Sequence, residues 1–149
     1  MSELKELYQE IILDHNKNPR NFGKLEHHTH KAEGYNPMCG DHYSIYLEIK
    51  DNKIENVSFE GAGCAISKSS ASMMTANLKG RTVEEAKKMF GEFQNMMTSD
   101  KPCVKVPEDI CKAEPLQGVR EFPTRIKCAT LIWHTMNNAI NGKDNTSTE

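Results

Sequence analysis

Three cysteines and an aspartate, each set beside an element that turns or starts the chain, most constrain what this sequence can fold into. Cys39 and Asp41 lie in the turn Asn36-Pro37-Met38-Cys39-Gly40-Asp41. Cys64 follows the glycine loop Gly61-Ala62-Gly63 and opens a helix, and Cys128 closes the helix start Pro123-Thr124-Arg125-Ile126-Lys127-Cys128. Three thiolates and one oxygen make a tetrahedral zinc shell. If the four share one ion, then a turn, a loop and a helix start far apart in sequence must meet at one point.

Each position also has a bland reading. Asn-Pro and Gly-Asp are common turn pairs. A free cysteine often serves as a small buried hydrophobe, and Cys64 and Cys128 both fit that description. Local context argues the other way. Free N–H groups and the dipole at a helix N-terminus favour a thiolate at Cys64. Arg125 and Lys127 place two cations within three residues of Cys128, which stabilise a nearby thiolate. Gly40 gives the Cys39 turn the backbone freedom a moving side chain needs.

The chain has 149 residues, a length that suits one domain with a core that needs no disulfide. The expected unit is a single domain over 1–142, with a polar tail at 143–149 expected to be mobile. Nineteen basic and 21 acidic residues leave a net charge of −2, which offers no electrostatic case for nucleic acid or an anionic membrane. No apolar run reaches the roughly 18 residues of a membrane span. The start, Met1-Ser2-Glu3-Leu4-Lys5-Glu6, is unlike a signal peptide. The expectation is a cytoplasmic protein. In a reducing compartment, five cysteines favour metal or redox chemistry over structural disulfides.

Periodicity organises the rest. Leu4, Leu7, Tyr8, Ile11 and Ile12 form one apolar stripe of a first helix that Ser2 can cap. Asn16-Lys17-Asn18-Pro19 stops it, and 16–30 reads as a polar connection. After a short strand at 31–36, Tyr43, Ile45, Leu47 and Ile49 alternate with Ser44, Tyr46 and Glu48. Beyond the turn Asp51-Asn52-Lys53, Val57 and Phe59 alternate likewise, predicting an antiparallel hairpin. A helix rich in small residues is predicted at 64–79, ended by Gly80. Thr82-Val83-Glu84-Glu85 is a capping box for a helix to about 97. A short helix near 108–114 behind Pro107 and a last helix from Pro123 to Gly142 complete an α+β fold. Its small antiparallel β-sheet, of about three strands, packs against several helices on one side.

The remaining reactive side chains read blandly. Cys103 and Cys111 match no metal-binding spacing and are expected to be structural or surface thiols. His27, His28 and His30 read as a solvated loop or strand edge. His15 and His134 are isolated, and His42, next to Asp41, is a candidate to support the site. The eight methionines read as core filler.

The three cysteine motifs, in this order, resemble the IscU-like superfamily of iron–sulfur cluster assembly proteins. The residues that carry the likeness are Asn36-Pro37-Met38-Cys39-Gly40-Asp41, Gly61-Ala62-Gly63-Cys64-Ala65-Ile66-Ser67 and Arg125-Ile126-Lys127-Cys128-Ala129. The resemblance runs from the first helix to about Ile140. IscU itself has a histidine just before its third cysteine, where this chain has Lys127. Its Leu-Pro-Pro-Val-Lys chaperone motif is unlike Glu121-Phe122-Pro123-Thr124-Arg125 here. A long segment between Gly80 and Pro123 looks like an insertion. These departures resemble the SufU branch.

The resemblance implies an IscU-like (SufE/NifU-type) fold and a zinc-dependent sulfur acceptor for a SufS-type pyridoxal-phosphate cysteine desulfurase. It implies Cys39, Asp41, Cys64 and Cys128 as zinc ligands and Cys39 as the thiol that accepts sulfur. Arg125 would stand near the site, and a histidine of the desulfurase would take the place of Cys39 when it leaves. A downstream Suf cluster-assembly scaffold would receive the sulfur. Two further readings stay open: a scaffold that assembles a [2Fe–2S] cluster on the same ligands, and a structural zinc domain.

Overall fold

The hairpin expected around Asp51 and Asn52 lies at the centre of the structure. A computed structural model describes residues 2–99, 106–143 and 145–147. Strands β1 (His30–Asn36), β2 (Asp41–Lys50) and β3 (Lys53–Ala62) pair antiparallel in the order β3-β2-β1. Asp51 and Asn52 have φ of 52° and 66°. Two left-handed residues give a two-residue turn whose twist matches that of the strands, and short polar side chains tolerate it.

Tyr43, Ile45 and Leu47 of β2 and Val57 and Phe59 of β3 face the core, as the alternation predicts. Tyr46, expected on the outer face, is also buried. The connection after the first helix and the neighbouring strand β1 explain this: the His28 ring lies 5.1 Å from that of Tyr46, and the ammonium of Lys31 in β1 lies over the same ring. The connection also caps the free edge of β3. Gly23 N–H donates to the Phe59 carbonyl at 2.7 Å, and Phe22 meets Phe59 edge-to-face.

A three-residue strand, β4 (Asn145–Ser147), pairs in parallel with β1 through Glu33, Gly34 and Tyr35. It lies inside the segment expected to be a mobile tail. An edge strand offers unpaired backbone groups that a passing segment satisfies, a tertiary opportunity that local composition does not encode.

Helices α1 (Ser2–Lys17), α2 (Ala65–Leu78), α3 (Val83–Thr98) and α4 (Pro123–Ile140), with a 3-10 helix at Glu108–Val119, cover the sheet. α4 lies against β1 and β2, α2 lies against β3, and the two helices touch each other. The small side chains of α2 permit this. Ser69, Ser70, Ala71 and Ser72 are all fully buried. Ser70 Oγ donates to the Ala129 carbonyl at 2.5 Å and accepts from Trp133 Nε1 at 3.2 Å. Phe93 of α3 stacks on Trp133 with centroids 4.2 Å apart. The Thr82–Glu85 capping box is made in both directions.

Two expectations differ in detail. The short helix extends to Val119 as a 3-10 helix, because Pro115 inside it offers no N–H and Ile110 leaves helical geometry. The helix α1 takes in Ser2 instead of being capped by it. Its stripe is only half covered: Ile12 is buried, whereas Leu4 and Leu7 are 47% and 49% exposed. The helix is tied down at its middle, where the Tyr8 hydroxyl donates to Glu114 Oε2 at 3.1 Å, and near its C-terminus, where His15 Nδ1 meets Ser72 Oγ at 2.7 Å. Among the described residues, no helix is long and apolar enough to cross a membrane.

Candidate functional site

The end of β1, the start of β2, the loop before α2 and the first turns of α4 converge at one end of the sheet. Antiparallel register fixes the first pair: Asn36 of β1 stands opposite Asp41 of β2, with Cys39 in the turn between them. Gly40 there has φ 70°, a left-handed geometry that glycine adopts without strain. Cys39 N–H donates to the Asn36 carbonyl at 3.2 Å. The thiol of Cys39 is exposed.

Asp41 is buried at 2% exposure. Its Oδ1 accepts the backbone N–H of Cys64 at 2.8 Å, and its Oδ2 accepts from Asn36 Nδ2 at 3.3 Å. Cys64 is the N-cap of α2, its sulfur accepting from Ser67 N–H at 3.4 Å. Ser67 Oγ in turn lies 3.0 Å from the Tyr43 hydroxyl. Gly63 makes room for this network. A Cβ at that position would stand 2.4 Å from Asp41 Oδ1, 2.7 Å from Ser67 Oγ and 2.8 Å from the Tyr43 hydroxyl. The glycine loop before Cys64 is therefore a close approach of backbone to a buried carboxylate.

Cys128 lies on the inward face of α4 at 2% exposure. Its sulfur is 3.1 Å from that of Cys39 and accepts from Asn36 Nδ2 at 3.3 Å. One ligand atom each of Cys39, Asp41 and Cys128 falls within 4.8 Å of the other two. Cys64 joins through Asp41, with its sulfur 3.9 Å from Oδ2. The structure thus brings all four expected residues together, three as a tight group and Cys64 at its flank.

The donor set fits a cation. Burial pushes the Cys128 thiol well above its ordinary range, and the Cys39 hydrogen bond and the neighbouring Cys64 and Asp41 charges push the same way. Crowded sulfur and carboxylate donors repel one another as anions until a positive ion joins them. Borderline-soft zinc suits such a set better than hard, oxygen-seeking cations do.

An apolar groove of about 630 Å³ leads from the surface to Cys39, Cys64 and Cys128. Tyr8 and Leu13 of α1 line one wall, and Phe122 and Arg125 line the other. The Arg125 guanidinium stacks over the Phe122 ring at 4.7 Å, which holds the cation in the wall of the groove that the thiols also line. Lys127 is exposed and is not part of this wall.

Other candidates fall away from the site. His42 is next to Asp41 in sequence, but alternation along β2 sends it to the opposite face. There it stacks on Tyr35 and its Nε2 lies 3.1 Å from Glu33 Oε1. His28 and His30 bind local chain atoms at Leu25 and Thr29. Cys111 is exposed on a separate groove with Leu4, Leu7 and Pro115. Cys103 lies outside the described residues.

Sequence reasoning missed Asn36, Tyr43 and Ser67. Asn36 reads as a turn former and Tyr43 as a core residue. Ser67 had a legible cue, since it stands three residues after a helix-capping Cys64, where a capping partner belongs.

The family model described as "NifU-like N terminal domain" matches residues 7–129. The chain is 40% identical over 139 residues to the "Zinc-dependent sulfurtransferase SufU" of Bacillus subtilis, covering 93% of this chain and 92% of that protein. It is 38% identical to the "Iron-sulfur cluster assembly scaffold protein IscU" of Streptococcus pyogenes, covering 94% and 86%. A Fervidobacterium islandicum structure, proposed as a cluster assembly scaffold for the SUF system, superposes with TM-score 0.78 at 35% identity, covering 88% and 94%. The NifU-like N-terminal structure from Brucella abortus shares the fold, with TM-score 0.81 over 90% and 92% of the two chains at 22% identity.

Proposed function

The chain belongs to the NifU-like N-terminal domain family, and on that basis we propose that it is a zinc-dependent sulfur acceptor for iron–sulfur cluster assembly. Cys39 takes sulfur from a SufS-type cysteine desulfurase and delivers it to the downstream Suf cluster-assembly scaffold. Cys39, Asp41, Cys64 and Cys128 hold the zinc. The relative named a zinc-dependent sulfurtransferase supports this choice within the family.

The observation that carries the reading is an asymmetry among the four ligands. Asp41, Cys64 and Cys128 are each held by hydrogen bonds from the chain itself. Cys39 is exposed, sits in a glycine-containing turn, and among the described residues has only another thiol hydrogen-bonded at its sulfur. It is the ligand that can leave while the others stay.

Bound zinc keeps the thiols deprotonated at neutral pH and adds no redox chemistry of its own. The Cys39 thiolate attacks the outer sulfur of the donor persulfide. The donor's S–S bond breaks, its thiolate departs, and a new S–S bond forms on Cys39, with no net oxidation. Arg125, stacked at the groove wall, offsets negative charge as the two anions approach.

Mixing the protein with a SufS-type desulfurase and cysteine tests this. Alanine release should accelerate, and the protein should gain the mass of one sulfur on the Cys39 peptide. A Cys39→Ala variant that still accelerates turnover and still gains sulfur would refute the assignment. The relative named an IscU scaffold favours one alternative, assembly of a [2Fe–2S] cluster as cargo on the same residues. Reconstitution with iron and sulfide that gives a stable chromophore, transferable to an apo-acceptor, would favour that reading.

A further inference from the structure

Cys39 and Cys128 are two thiols 3.1 Å apart, and both line the groove through which a reagent would arrive. Exposure favours Cys39, since Cys128 is 2% exposed, yet both sulfurs border the same groove and a second device is needed to hold Cys128 back. We propose that the Asn36 side-chain amide decides between them, making it the specificity-determining residue of this site. The electrophile's identity as a persulfide rests on the function proposed above; the selection between the thiols does not.

Asn36 is 1% exposed, so its amide competes with little water. An amide nitrogen carries two hydrogens. Here Nδ2 lies 3.3 Å from Cys128 Sγ and 3.3 Å from Asp41 Oδ2. Turned the other way, the amide oxygen would face the Asp41 carboxylate, an acceptor, and that contact would not survive. The donor role is therefore dictated by its surroundings.

A sulfur that accepts a buried N–H has part of its electron density committed. Attack on an electrophile requires that bond to weaken in the transition state, and a buried donor left unpaired is costly. Cys128 bears that penalty in full and Cys39 far less, since among the described residues the Cys39 sulfur accepts only from the Cys128 thiol, a weak S–H donor. Through its second hydrogen the same amide ties Asp41 to Cys128. The two ligands that must stay are thereby coupled to each other and to β1, and Cys39 is left outside the arrangement.

The test uses the full chain loaded with one equivalent of zinc and treated with limiting iodoacetamide. Each modified thiolate displaces iodide, and peptide mass mapping gives the rate at each cysteine. In the wild type, Cys39 should be modified at least about tenfold faster than Cys128, exposure and the Asn36 hydrogen bond acting together; the hydrogen bond by itself supplies about tenfold. In Asn36→Ala, the Cys128 rate should rise by about that factor with the Cys64 rate unchanged. Asn36→Ser, which keeps a shorter donor, should fall between the two and serves if the alanine variant does not fold.

A Cys39-to-Cys128 ratio that stays the same in both variants overturns the proposal. So does a parallel rise at Cys64, because general loosening of the site would expose every thiol together. The reading as a sulfur acceptor can fail separately. If no desulfurase is activated yet the alkylation preference shifts as described, the role of Asn36 stands and the sulfur chemistry falls. If the desulfurase does load sulfur, Asn36→Ala should divide it between Cys39 and Cys128.

Discussion

Gly63→Ala adds one methyl group at the most crowded point of the site. The new Cβ would meet Asp41 Oδ1, Ser67 Oγ and the Tyr43 hydroxyl at 2.4, 2.7 and 2.8 Å, where ordinary contact begins at 3.4 Å. None of the three can retreat easily. Asp41 and Tyr43 are buried, and Ser67 is fixed in the first turn of α2. Overpacking of this kind costs about 1–3 kcal/mol. Clearing the carboxylate also loosens its 2.8 Å bond from Cys64 N–H, worth about 1.5–3 kcal/mol for a charged acceptor. The expected loss is therefore about 2.5–6 kcal/mol in the metal-free protein, or roughly 10 °C or more in Tm for a chain of this size. Gly91→Ala is the matched control. Gly91 lies inside α3 with nothing within 4 Å of an added Cβ, so alanine should stabilise the helix by about 1 kcal/mol. Urea denaturation followed by circular dichroism reads both. A Gly63→Ala variant within about 0.5 kcal/mol of wild type, the range of an unconstrained surface change, would refute the seating of the loop against Asp41.

Three further outcomes are expected. Ser67→Ala should cost about 1–3 kcal/mol because it strands the buried Tyr43 hydroxyl, and adding Tyr43→Phe should recover part of that loss; full additivity in urea melts would deny the contact. Burial, aided by the Arg20 charge, holds His15 below its usual 6.5, and burial does the same to His134. The unfolded chain then binds more protons as pH falls through about 6.5, so stability should drop from there toward the lower folded values; a urea midpoint constant from about pH 7 to about pH 5 would contradict this. Asp41→Asn keeps an acceptor for Cys64 N–H but removes the ligand charge, so zinc affinity in a chelator competition should fall at least about tenfold; unchanged affinity would remove Asp41 from the shell.

Local rules account for what is legible in the sequence. Asp51-Asn52 names its own turn, Thr82-x-x-Glu85 its own cap, and Pro123 its own helix start, because each acts over a few residues of chain. Alternation in β2 places Tyr43, Ile45 and Leu47 correctly for the same reason. It also shows why His42 misleads: adjacency to Asp41 suggests a shared site, whereas the strand period sends neighbours to opposite faces. The stripe on α1 shows the limit from the other side. Periodicity identifies a helix with an apolar face, but how much of that face is covered depends on what packs there, and Leu4 and Leu7 remain exposed.

The four candidate donors, and the element each stands on, can be named from sequence alone, since donor chemistry and capping are properties of a residue and its near neighbours. How the four meet is a matter of tertiary structure. Cys39 lies 89 residues from Cys128, and nothing local says that their sulfurs touch while Cys64 stands to one side. Asn36 is the sharpest case. Three residues before Cys39 it reads as half of a turn, yet its amide reaches a sulfur 92 residues away. Contacts at that separation form only when strand register, the Gly63 approach and the packing of α4 are satisfied at once, because folding fixes them together through the burial of one shared core.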